Sequence, residues 1–93
     1  MKHYIIVKFK EGFNYREHTD DILSIFKRTL KIDGITEVKI KKSNSQRQNR
    51  YDLMIEMTME KPALQIYDTS APHICWKEKY GEFIEKKTIF DCD

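Results

Sequence analysis

An α+β fold, with two helical regions covering one face of an antiparallel sheet, is predicted by three observations in this 93-residue sequence. Apolar residues recur at every second position over residues 2–10, 35–42 and 51–59, the period of a strand. Two other stretches, about 14–33 and 62–84, repeat their apolar residues at helical spacing. Glycine, proline or wholly polar runs separate these stretches, and nothing divides the chain into two parts, so residues 1–93 form one domain.

The first strand puts His3, Ile5, Val7 and Phe9 on one face and Tyr4, Ile6, Lys8 and Lys10 on the other. Both faces begin apolar, so each needs a cover. Asn14, with Glu17 three residues on, has the form of a capping box that opens a helix. Ile22, Ile25, Phe26, Thr29 and Leu30 form its apolar stripe, His18 falls on its polar side, and Asp33-Gly34 supplies its stop. In the second strand Val38 and Ile40 point inward. Residues 43–50 hold no apolar side chain and read as a loop. The third strand sets Tyr51, Leu53, Ile55, Met57 and Met59 against Asp52, Met54, Glu56 and Thr58. Pro62 suits the first turn of a short helix to about Tyr67. Ser70 is placed to cap a longer helix with a stripe of Trp76, Tyr80, Phe83 and Ile84, and residues 88–92 close the chain as a strand.

Strand, helix, strand, strand, helix, strand is the ferredoxin-like order, with both helices on one face of the sheet. The other face carries Tyr4, Ile6, Met54 and Phe90 among Lys8, Glu56 and Thr58. Packing two such faces together would cover them, so a homodimer is expected.

Composition excludes more than it assigns. Seventeen basic against fifteen acidic residues give a net charge of +2, far from an obligate nucleic-acid binder. The basic tract Lys39, Lys41, Lys42, Arg47 and Arg50 lacks the aromatic-rich third strand on which RNA-binding modules stack bases, so no nucleic-acid partner is expected. The longest apolar run, Tyr4 to Val7, is far short of the ~18–20 residues of a membrane span, and no signal-peptide pattern opens the sequence. Cys75 and Cys92 have no metal-ligand spacing and read as free thiols of a cytoplasmic protein. No phosphate loop, nucleophile elbow, haem pattern or metal set is present, so neither a metal nor a cofactor is expected.

Three segments carry a family resemblance. Lys2-His3-Tyr4-Ile5-Ile6-Val7-Lys8-Phe9-Lys10-Glu11-Gly12 resembles the opening of the stress-responsive dimeric α/β-barrel (Dabb) domains. Tyr67 through Pro72-His73 is similar to that family's Tyr…His-Pro-x-His segment, and Ile89-Phe90-Asp91 to its closing strand. The likeness covers essentially the whole chain and implies a ferredoxin-like subunit whose sheet pairs with its twin in a dimeric barrel. Plant members close a linear polyketide by aldol condensation without a cofactor, using a histidine base and a tyrosine. The resemblance implies that His73 is the base, Tyr67 the phenol that hydrogen-bonds an enolate, and His3 a further histidine that orients the ligand. A polar histidine of those enzymes corresponds here to Leu53, and the His-Pro of the segment is Ser70-Ala71, with Pro72 one place later.

Two functions follow as expectations. One is a small apolar pocket walled by Ile5, Ile22, Ile25, Phe26, Val38 and Ile55 that binds or transforms a small hydrophobic carbonyl compound. The other is a non-catalytic, stress-associated homodimer whose own side chains fill that pocket.

Overall fold

In the computed structural model, which describes residues 1–93, strict alternation makes Lys2–Phe9 a strand (β1) with His3, Ile5, Val7 and Phe9 buried. The chain then forms α1 (Thr19–Lys27), β2 (Ile35–Lys42), β3 (Leu53–Met59), α2 (Ala63–Asp68), α3 (Ala71–Tyr80) and β4 (Ile84–Cys92). The sheet order is β2-β3-β1-β4, all antiparallel, with the helices on one face. This is the ferredoxin-like arrangement expected from the sequence. Ile5, Val7, Leu53, Ile55 and Met57 from the sheet meet Ile22, Ile25 and Phe26 of α1 and Trp76 and Tyr80 of α3. No helix is long and apolar enough to cross a membrane.

Several local expectations are corrected. Asn14 does not cap a helix with its side chain; its backbone carbonyl accepts the Glu17 N–H, and residues 15–18 form a 3₁₀ turn before α1. The stripe also shortens, because the helix tightens to 3₁₀ over residues 28–31 and turns Leu30 outward, 42% exposed. At Asp52 the chain bends, so Tyr51 leaves the inward face and its hydroxyl meets Thr88 Oγ1 at 2.8 Å. The last helix stops at Tyr80, and Ile84 belongs to β4, which begins four residues earlier than predicted. Glu85, Lys86 and Lys87 hide that start, being polar and exposed on an edge strand. The stop at Asp33-Gly34 holds: Gly34 has φ +94°, and a Cβ there would sit 3.2 Å from Ala63 Cβ.

Candidate active-site cleft

The three residues singled out in the sequence meet between β4 and the α2–α3 corner. Tyr67 lies in the last turn of α2 with its ring 5.7 Å from that of His3 and 4.5 Å from that of His73. The three line a cleft of about 290 Å³ together with Ile5, Trp76 and Ile89. Leu64, Asp68, Lys87 and Asp91 complete its wall.

The corner is held by one serine. Ser70 Oγ donates to the Tyr67 carbonyl at 2.7 Å and accepts from the His73 amide at 3.4 Å, capping α3 as expected. His73 in turn uses a carbonyl that the end of α2 leaves free. Its Nδ1 lies 2.8 Å from the Asp68 oxygen. A carbonyl only accepts, so Nδ1 carries a proton, and in the neutral ring the lone pair is on Nε2. Ser70, which replaces a histidine of the family pattern, thus joins the two residues on either side of it.

His3 is held from the other direction. It is 5% exposed, and its Nδ1 lies 2.5 Å from Asp91 Oδ1, a contact between directly paired residues of β1 and β4. Asp91 was not among the predicted site residues. No periodicity announces it, since only the β1–β4 register brings positions 3 and 91 side by side.

Tyr67 is 1% exposed, and its hydroxyl is buried with no hydrogen-bond partner. Burial pushes its phenol well above the ordinary range, with the Asp68 carboxylate adding to the effect. The phenol therefore stays protonated, with an O–H to donate. An orphaned buried hydroxyl costs about 1–3 kcal/mol, a cost that a hydrogen-bond acceptor seated against it would offset.

The predicted pocket wall fares differently. Ile5 lines the cleft, whereas Ile22, Ile25, Phe26, Val38 and Ile55 are close-packed in the core under α1. Their helical and strand periodicities report burial and cannot separate a pocket wall from a core.

No family model matches the chain, and no curated protein matches it in sequence. Solved structures do match in fold. A dimeric ferredoxin-like protein of unknown function from Jannaschia sp. superimposes with a TM-score of 0.80 at 16% identity, covering 99% of this chain and 96% of that one. A Dabb family protein with a ferredoxin-like fold from Mesorhizobium loti gives 0.73 at 17% identity over 99% and 93%. A hydroxynitrile lyase from Passiflora edulis gives 0.74 at 15% identity over 96% and 87%. The chain has the ferredoxin-like fold described for the Jannaschia and Mesorhizobium proteins.

Proposed function

We propose that this chain is a Dabb-type domain that forms a homodimer and uses the cleft for cofactor-free proton transfer on a small hydrophobic carbonyl compound. The observation that carries the reading is the Tyr67 hydroxyl, buried without a partner on a ring that meets two imidazoles whose Nδ1 atoms are already engaged. A ketone oxygen seated against Tyr67 would satisfy that hydroxyl. His73 Nε2 then takes a proton from the carbon next to the carbonyl, and Tyr67 hydrogen-bonds the enolate oxygen as charge gathers there. Ile5, Trp76 and Ile89 supply the apolar wall, which suits an aryl or alkyl ketone. A fold neighbour with a named activity, the hydroxynitrile lyase from Passiflora edulis, is an enzyme.

Homodimerisation is supported by the open face of the sheet. Tyr4 and Phe90 pair across β1 and β4 with ring centroids 6.3 Å apart, and Phe90 is 57% exposed. Light scattering at micromolar concentration is expected to give twice the monomer mass; a monomer would refute the assembly.

The chemistry is tested by hydrogen–deuterium exchange at the methyl group of acetophenone in D2O near neutrality, followed by NMR. Wild-type protein is expected to accelerate exchange, and His73→Gln and Tyr67→Phe to lower that rate by about 10²-fold while remaining folded. Equal rates with and without protein would favour a non-catalytic dimer.

A further inference from the structure

We propose that Asp91 is a positioning residue that makes His3 a second proton-transfer group, so that the cleft works with an acid as well as a base. This step rests on the proton-transfer reading above and assigns His3 and Asp91 distinct parts in it.

Both imidazoles lie against the Tyr67 ring, and each is fixed through Nδ1 by an oxygen 2.5 or 2.8 Å away. The oxygens differ in charge. His73 is held by the neutral backbone carbonyl of Asp68, which sets its tautomer and adds no charge. His3 is held by a carboxylate, so a positive ring at His3 has its counter-ion in contact. The same contact leaves Nε2 of His3 with no hydrogen bond to the chain. The other titratable groups around His3 are Tyr67 on α2 and, further along the cleft wall, Asp68, His73 and Lys87. β3 brings only Met57 opposite it. Burial on β1 and a partner in register on β4 hold the ring at both sides, which is what a positioned acid requires.

Proton and electron bookkeeping assigns the parts. His73 Nε2 takes the proton from the carbon, and that C–H pair becomes the C=C bond of the enol. The carbonyl π pair moves to oxygen, which takes the Nε2 proton of the His3 imidazolium while Tyr67 donates a hydrogen bond to it. His3 ends neutral with its Nδ1–H still on Asp91, His73 ends charged, and the ketone has become its enol with no atom gained or lost.

The acetophenone exchange assay also tests this. Asp91→Asn keeps a cross-strand hydrogen-bond acceptor and removes the charge. It is expected to lower kcat about 10²-fold with KM within about twofold of wild type. Asp91→Glu is expected to restore part of that loss. Because the two residues act as a unit, the double variant His3→Gln with Asp91→Asn is expected to be no slower than the worse single variant. Long-range ¹H–¹⁵N NMR is expected to show Nδ1 of His3 carrying its proton in wild type in either charge state of the ring, and the Nδ1–H and Nε2–H tautomers mixed in Asp91→Ala. Exchange that depends on His73 but not on Asp91, or a His3 tautomer unchanged in Asp91→Ala, overturns the inference alone. Exchange that does not depend on His73 overturns the reading of the cleft and the inference with it.

Discussion

Helix α3 carries a tyrosine–histidine cluster at each end, and the two clusters resolve the same chemical problem in opposite ways. At its start Tyr67 touches two imidazoles and its hydroxyl has no partner. At its end Tyr80 is equally buried, at 1% exposure, but its hydroxyl donates to Asp21 and lies 3.4 Å from His18 Nδ1. Since the O–H is given to Asp21, the Tyr80 oxygen is free to accept from His18. Lys79 then neutralises Asp21 at 2.8 Å, and Phe13 stacks on His18 with centroids 4.9 Å apart. Burial raises both phenols, and the Asp21 hydrogen bond adds to the rise at Tyr80. One cluster is closed and the other is left open. A closed polar network rigidifies a core, whereas an open one holds desolvated hydrogen-bonding capacity that only an incoming molecule can use.

The comparison breaks most completely through Trp76, which lines the cleft and also packs on Tyr80 and Phe26 with centroids 5.6 and 5.2 Å apart. Trp76→Ala is expected to cost about 3–5 kcal/mol in urea unfolding and to disturb both clusters, since a large buried side chain leaves a cavity. The sharper contrast is a matched pair. Tyr80→Phe is expected to destabilise by about 1–2 kcal/mol, because a hydrogen bond to a carboxylate is lost. Tyr67→Phe is expected to leave stability unchanged or raise it by about 1 kcal/mol, because it removes an unsatisfied hydroxyl. Equal losses in the two variants would show that Tyr67 is as fully partnered as Tyr80.

The smallest effect concerns pH. Hydrogen bonds from Lys79 and Tyr80 hold the Asp21 carboxyl below its ordinary value. A depressed carboxyl stabilises the fold above its unfolded value of about 4 and loses that contribution as pH falls through the folded value. Asp21 is half-exposed, so solvent screening keeps the contribution under about 1 kcal/mol. The stability gap between wild type and Asp21→Asn is expected to be present at neutral pH and to close under acid conditions.

Element order, strand faces and most of the core were legible because burial writes itself as periodicity. The features missed were those set by register or by helix phase. His18 was assigned to the polar side on the premise that the helix opens at Asn14. With α1 opening at Thr19, His18 sits on the preceding turn and faces Phe13 and Tyr80. Within the cleft, Tyr67, Ser70 and His73 are close in sequence, and it was the family resemblance of that segment that pointed to Tyr67 and His73. Asp91 was not legible, because its partner lies 88 residues away and only the pairing of β1 with β4 joins them. Ile22, Ile25, Phe26, Val38 and Ile55 show the converse, a pattern that promises apolar surroundings and leaves open whether the space between them is filled.

Strand β4 has neighbours of unlike destiny: Phe90 faces the bare side of the sheet, and Asp91 faces the helices. Whatever rests on Phe90 also loads the strand that steadies His3, since consecutive residues of a strand cannot move independently. Whatever touches one side of the sheet and the residue that steadies His3 on the other therefore share a single stretch of backbone.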